Sequence, residues 1–429
     1  MIRAYLRQTN VYFTMQQINH LWNIKLSKAP ERQPLMNGLL DKKYCDAFRW
    51  LEGIHVRIIS PKTILKFIDE ELIHDNEAIL KQNGQTLNSM SSGERKQAFL
   101  KYTLNQKPEA LILDHLLDNL DTMARKRIAD LLETQSHLSG IINIYSRDDD
   151  RLPFLTEEFT YESQELKKES LVEPVKVQTK TEIQYPLPNP LHEVSIFDNP
   201  LVSFNQVSVS YLDKCILKNI SWVINKGQFW HLYGPNGSGK TTLLTMITGD
   251  NPKAYGQDIK LFGKQKGSGE TIWGIKQKVG YFTTNMTFQF KRRQTVRDMI
   301  ISGFFDSVGL YHIPSDQQIK LAHEWLDFIG LAHLADHPFI DLSMCHQRMI
   351  MIARAMVKHP PLLILDEASV DLDDESASLM TGLINRIAQE GETTIIYVSH
   401  RMEPGLNPTH SFELVVGDGG SEGVSSSLH

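Results

Sequence analysis

The sequence predicts an α/β protein made of two tandem copies of one domain. Each copy is expected to hold a mostly parallel sheet core with a helical subdomain, and the first copy is expected to be incomplete. Three observations predict this. Gly234-Pro235-Asn236-Gly237-Ser238-Gly239-Lys240-Thr241 fits G-x-x-x-x-G-K-[ST]. Two apolar, strand-like runs end in an acid, Leu111-Ile112-Leu113-Asp114 and Leu363-Ile364-Leu365-Asp366. The spacing ahead of them repeats, since Ser91 precedes Asp114 by 23 residues and Ser343 precedes Asp366 by 23.

The glycine-rich stretch carries the chemistry. Its glycines let the backbone curl so that N–H groups point inward at phosphate oxygens. Lys240 is placed to reach the β- and γ-phosphates, and Thr241, followed by Thr242, to offer a hydroxyl to Mg²⁺. Residues 228–233 read as a strand entering the loop. Residues 241–248 read as a helix leaving it, stopped by Gly249 and Pro252. Strand, loop and helix together are the unit of a P-loop NTPase, whose helix end also favours negative charge.

Composition narrows the class. A chain of 429 residues suits two or three domains, each able to bury an ordinary core. A net charge of −6 leaves no global basic footprint, so no direct nucleic-acid partner is expected. Cys45, Cys215 and Cys345 lie far apart, which fits a reducing compartment rather than a disulfide framework. No apolar region of signal-peptide type follows Met1, and no run of eighteen apolar residues occurs. The expected location is cytoplasmic, peripheral at the inner face of the plasma membrane if a permease is the partner.

Taken in order, residues 63–72 read as an amphipathic helix. Residues 90–95 (MSSGER) open a helical run to Asn105. A strand at 110–114, a helix at 122–134 and a strand at 140–145 follow, then Ser146-Arg147. Residues 1–162 form the first half. Residues 163–198, with Pro174, Pro186, Pro188 and Pro190, read as a Pro-rich linker. Residues 199–415 form the complete second half, with strands at 202–211, 279–282, 362–366 and 393–398 and a helix-rich stretch at 295–334. Residues 416–429 are rich in Gly and Ser and read as a flexible tail. Lys240 precedes Ser343 by 103 residues, and the same offset from Ser91 falls ahead of Met1. By that count the first half lacks a phosphate loop because the count runs off its start.

On these residues the chain resembles the ATP-binding cassette (ABC) family across residues 85–160 and 199–415. The resemblance implies a role for each residue that matches a family motif. Walker A is 234–241 and Walker B is 362–366, with Asp366 on Mg²⁺ and Glu367 as the general base that polarises water. Residues 370–373 match the D-loop. His400 matches the switch histidine that contacts the γ-phosphate, and Tyr211 the aromatic that stacks on adenine. Met90-Ser91-Ser92-Gly93-Glu94 keeps part of the family signature. Residues 267–276 and 301–309 are further similar to a tandem type named for molybdenum transport or photorepair.

The departures fall unevenly. The second-half signature is Leu342-Ser343-Met344-Cys345-His346, without glycine. Thr284 stands at the Q-loop glutamine, His115 at the first half's catalytic acid and Arg147 at its switch residue. Family halves meet head to tail, so the resemblance implies one nearly complete ATP site. That site joins 234–241, Asp366, Glu367 and His400 with Ser91, Ser92 and Gly93. The expected function is MgATP hydrolysis there by a transport-associated ATPase of molybdenum, oxyanion or metal uptake type, with ATP and Mg²⁺ as cofactors and a membrane permease as partner. A soluble tandem ATPase with a regulatory or ribosome-associated role, or a nucleotide-binding module with little turnover, remains open at this stage.

Overall fold

The computed structural model describes residues 20–26, 32–40, 46–74, 86–87, 90, 92–135, 138–163, 165–169, 185–191, 199–212, 214–287, 290 and 294–428. The chain forms two compact units. The first comprises Met1–Asn88, Lys96–Leu116 and Arg127–Glu173; the second comprises Ser89–Arg95, Leu117–Lys126 and Pro174–His429. Two short segments of the first half, at the signature and D-loop positions, therefore belong to the second unit.

The first unit holds a six-stranded sheet. Its strands are β1 (His20–Leu26), β2 (Val56–Ile59), β3 (Ala110–Asp114), β4 (Gly140–Tyr145), β5 (Glu157–Glu162) and β6 (Glu165–Lys168), in the order β2-β3-β4-β1-β5-β6. The first five run parallel and β6 turns back on β5. β3 and β4 are buried along their whole length, as continuous apolar runs in a parallel sheet should be. Trp22, Ile24, Phe48, Ile112 and Ile144 share one core.

The second unit holds a ten-stranded sheet. It comprises β7 (Val202–Tyr211), β8 (Lys214–Ile224), β9 (Phe229–Tyr233), β10 (Ile259–Leu261), β11 (Lys264–Gln265), β12 (Val279–Thr283), β13 (Leu362–Asp366), β14 (Thr394–Ser399), β15 (His410–Gly417) and β16 (Gly420–Ser427). Their order is β11-β10-β7-β8-β16-β15-β9-β14-β13-β12. The parallel part carries two cores, one against the helices 296–301, 316–328, 344–356 and 374–390, the other against the helix Lys240–Ile247 and β7–β8. Expected strands and helices of this half are found within a residue or two at each end.

The two strand orders match over six strands, β12-β13-β14-β9-β15-β16 against β2-β3-β4-β1-β5-β6. β1 thus holds the place of β9, the strand that enters the phosphate loop. Register agrees, because Leu232 pairs Val398 and Lys25 pairs Tyr145, each near the end of its strand. Backbone dihedrals agree as well. His115 and Glu367 both have φ 54°, and Asn119 and Asp371 have 59° and 60°, values rare for side-chain-bearing residues.

This corrects the expected position of the first phosphate loop. Strand β1 and the helix Arg32–Leu40 take the places of β9 and the helix Lys240–Ile247, with the five residues Ser27-Lys28-Ala29-Pro30-Glu31 between them in sequence. The five intervening residues lie outside the described ones and include no glycine. The count failed because the first half is shorter within itself. Arg32 precedes Ser91 by 59 residues where Lys240 precedes Ser343 by 103, and among the described residues of that stretch the first sheet has no counterpart of β10 and β11.

Two further expectations are corrected. β6 carries the first unit into the expected linker, and residues 185–191 dock on the second unit. Leu187 and Leu191 pack against its helical core, Leu187 N–H donates to Glu390 Oε2 at 2.9 Å, and Arg386 donates to the Tyr185 carbonyl. The expected flexible tail is β16, paired along β15 from Gly417↔Gly420 to His410↔Ser427. Its glycines have a packing reason. A Cβ at Gly423 would lie 2.2 Å from Phe412 Cζ, so only glycine lets that buried ring lie across the strand.

Deleting residues 420–429 should therefore lower the thermal midpoint of the full chain by several degrees, about 2–4 °C for each kcal/mol lost. Differential scanning calorimetry measures it; an unchanged midpoint would show that the strand contributes nothing.

Candidate functional site

The site lies in the second unit, at the C-terminal ends of β9, β13 and β14, the usual place for ligands in open parallel sheets. β9 delivers the loop 234–239 and the helix Lys240–Ile247 leaves it. Gly239 caps that helix at φ 98°. A Cβ there would come within 2.6 Å of Leu217 Cδ2 on β8, so the loop sits down on a buried apolar side chain and only glycine fits. The helix start has no side-chain cap, leaving its first N–H groups to a ligand.

A cleft of about 620 Å³ opens above the loop, lined in part by Asn236, Lys240, Thr241, Thr242, Asp366 and Glu367. Tyr211, at the end of β7, borders the same cleft; it is 42% exposed, and its hydroxyl accepts a hydrogen bond from Asn251 Nδ2 at 3.0 Å. Lys240 Nζ donates to the carbonyls of Gly234 (2.6 Å) and Pro235 (3.0 Å). Burial lowers its pKa, while Glu367, Asp366 and Asp121 pull the other way.

The two acids are held differently. Burial pushes Asp366 up to about 6, with Glu367 adding to the shift and Lys240 opposing it. Glu367 is held below the ordinary carboxylate range, chiefly by the adjacent His400, with Lys240 and Arg348 adding to it and burial acting against it. His400 Nδ1 stands 3.9 Å from Glu367 Oε1, an ion-pair separation rather than a hydrogen bond. Among the described residues, both His400 ring nitrogens and Ser238 Oγ are buried without a hydrogen-bond partner, so they are available to a bound group. His231 on β9 supports this corner. Its Nε2 meets Ser399 Oγ at 2.8 Å, directly before His400, and burial pushes its pKa down to about 4.

The turn after β13 is tied from beneath. Arg348 Nη1 donates to the carbonyls of Ala368 and Val370, and Ser369 Oγ meets Tyr397 Oη at 2.7 Å. Within the same unit Asn119 Nδ2 donates to Asp371 Oδ1 at 3.0 Å, and Asn236 Nδ2 donates to the Asn119 carbonyl at 3.4 Å. A first-half segment therefore touches both the phosphate loop and the D-loop position.

Of the expected site residues, the loop, Asp366, Glu367, His400 and Tyr211 come together. Ser91 lies outside the described residues. Ser92 opens the helix Ser92–Asn105, its side chain likewise outside them, and Gly93 packs within reach of Leu120 and Ala124. Ser343 caps the helix Met344–Met356 by accepting from His346 N–H at 3.3 Å, so in the second half the signature serine has a structural task. Thr284 borders the cleft. Sequence reasoning missed Ile216 and Tyr281, which line it too. Tyr281 lies in the middle of β12, beside β13, where burial and Asp366 push its phenol up; no motif in the sequence marks it.

The donor set suits a divalent ion that arrives with a nucleotide. Asp366 and the Thr241 hydroxyl face one cleft, but no group of three or more His, Cys, Asp or Glu among the described residues could hold a metal without a ligand's help. Because Asp366 has a raised pKa in the fold, its ionisation costs stability as pH climbs through about 4 to 6, and the cost stays above that. Asp366→Asn should therefore stabilise the ligand-free chain at neutral pH by on the order of 2–3 kcal/mol, with the gain vanishing near pH 4. Urea unfolding across that range measures it, and a pH-independent difference would contradict the burial of this charge.

A family model described as ABC transporter matches residues 217–370. The chain is 40% identical over 347 residues to the ABC transporter ATP-binding protein ModF of Escherichia coli, covering 77% of this chain and 70% of that protein. That match is longer than the run from Pro174 to His429, so it enters both halves. An uncharacterized ABC transporter ATP-binding protein of Schizosaccharomyces pombe is 28% identical over 323 residues, 73% of this chain and 66% of its own. Among solved structures, CbiO1 of Clostridium perfringens, part of the ABC transporter complex CbiONQ, is 23% identical with a TM-score of 0.46, covering 53% of this chain and 88% of that one. The chain is a member of the ATP-binding cassette family of ATP-hydrolysing P-loop proteins.

Proposed function

We propose that the chain hydrolyses MgATP at one composite site in the second unit and serves as a transport-associated ATPase. The observation that carries this reading is the meeting of Lys240, Asp366 and Glu367 at one cleft beside the phosphate loop, with His400 3.9 Å from Glu367. Lys240 turns from the loop carbonyls to the β- and γ-phosphates. Thr241 and Asp366 would hold the Mg²⁺ that accompanies the nucleotide, Asp366 in its ionised form. When bound, that ion neutralises charge developing on the phosphates.

Glu367, ionised at neutral pH, orients the attacking water and accepts its proton. His400 meets the γ-phosphate with its unpartnered ring, and Tyr211 offers a flat face to adenine. Ser91, Ser92 and Gly93 supply the signature from the first half. Support for that pairing is the inclusion of Ser89–Arg95 and Leu117–Lys126 in the second unit and the contacts of Asn119 with Asn236 and Asp371.

No helix among the described residues is long and apolar enough to cross a membrane. The cargo class we assign is molybdenum, another oxyanion or a metal, on the resemblance carried by residues 267–276 and 301–309. One feature favours the second reading, a tandem ATPase with a regulatory role: Thr284 replaces the glutamine through which such ATPases meet a permease.

Two variants test hydrolysis. Glu367→Gln should keep ATP affinity while steady-state turnover falls about 100-fold or more. Lys240→Ala should weaken binding of a fluorescent ATP analogue about tenfold or more, about 1.4 kcal/mol. Unchanged turnover in the first would remove Glu367 from its role, and unchanged affinity in the second would remove the loop from ATP binding.

A further inference from the structure

The first unit meets the same electrostatic problem as the second and answers it differently. β3 ends in Asp114 as β13 ends in Asp366, and the Asp114 side chain is only 4% exposed. Arg32 opens the helix that takes the place of Lys240–Ile247, so it stands near where Lys240 stands in the second unit. Its guanidinium forks the carboxylate, with Nε donating to Oδ1 at 2.9 Å and Nη2 to Oδ2 at 3.0 Å. His115 closes the rest. Its Nδ1 lies 2.8 Å from Asp114 Oδ1 and its Nε2 2.9 Å from Ser146 Oγ. Planar bidentate pairing of this kind is strong and directional.

The contrast with Asp366 is direct. Among the described residues no side chain donates a hydrogen bond to Asp366, and Lys240 bonds the loop carbonyls instead. Asp114 is held below the ordinary carboxylate range by hydrogen bonds from His115 and Arg32 that outweigh its burial. A metal at Asp114 would have to displace a guanidinium that already satisfies both oxygens. The residues of this half do not fit a nucleotide-bound Mg²⁺.

We infer that Arg32 is a built-in cation, standing at Asp114 where a working half would bring its loop lysine and a nucleotide-bound metal. The first half is thereby held in one state whether or not nucleotide is present. This assignment does not depend on hydrolysis in the second unit and can fail or stand without it.

Hydrogen exchange in the full chain tests it, read at β3 and β4, which report opening of the first sheet itself. Arg32→Ala leaves a buried carboxylate without its cation and should speed exchange there about tenfold or more. Asp114→Asn should cost less, because the Arg32 side chain is 37% exposed and water can take it over. Adding Asp114→Asn to Arg32→Ala should restore most of the protection, and Arg32→Lys, which keeps charge but loses the fork, should fall between. If Arg32→Ala does not fold, recovery of a folded chain in the double variant supports the assignment, and failure of the double variant overturns it. Additive losses in the pair also overturn it. In a Lys240→Ala chain, a MgATP analogue should leave exchange at β3 and at Arg32–Leu40 unchanged. Protection there that disappears with Asp114→Asn would show that the first half binds nucleotide after all.

Discussion

A buried carboxylate at the end of a parallel strand must find a cation, and both units are built around that requirement. β3 and β13 are fully apolar up to their last residue, so Asp114 and Asp366 are carried into low dielectric by the strands themselves. In both units the start of the helix after the central strand carries a cation toward them. In the second unit that position holds Lys240, tied to its own loop, and Asp366 stays under strain with its pKa near 6. In the first it holds Arg32, and the strain is gone.

The functional differences follow from this one choice. A carboxylate whose charge is disfavoured by burial gives a bound cation, in the proposed reading, something to stabilise. Around it the second unit keeps other groups in reserve: the buried His400 ring and Ser238 hydroxyl, without a partner among the described residues, the uncapped helix start, and Glu367 at a left-handed turn. The supports beneath are ordinary structure. Leu217 seats Gly239, Arg348 ties the turn after β13, and His231 fixes Ser399 next to the switch position. In the first unit His115 has the same left-handed backbone as Glu367 but spends its ring on Asp114 and Ser146.

Much of the second unit could be read from the chain. Its strands are short apolar runs with acids or turns at their ends, and the phosphate loop needs a glycine pattern that little else explains. What could not be read has a common cause, namely contacts distant in sequence. β16 looks like a loose tail because nothing local shows that Phe412 lies over Gly423. Residues 185–191 look like linker because their anchor, the helix ending at Glu390, is some two hundred residues away. β1 and the helix after it were illegible as a phosphate-loop unit because the identifying glycines are not in the sequence, while the strand order that reveals them exists only in the folded sheet. Within the site, Tyr281 and Ile216 come from strands without motif residues and line the cleft through sheet pairing alone.

The central claim is that a chain with two copies of one fold has one working nucleotide site, because only one copy leaves its buried carboxylate for a ligand to satisfy. Equilibrium titration of the full chain with a non-hydrolysable ATP analogue and Mg²⁺, followed by isothermal calorimetry, tests it most directly. A stoichiometry of about one nucleotide per chain is predicted by the pairing of Arg32 with Asp114. Two nucleotides per chain, with the second lost on Asp114→Asn, would contradict it.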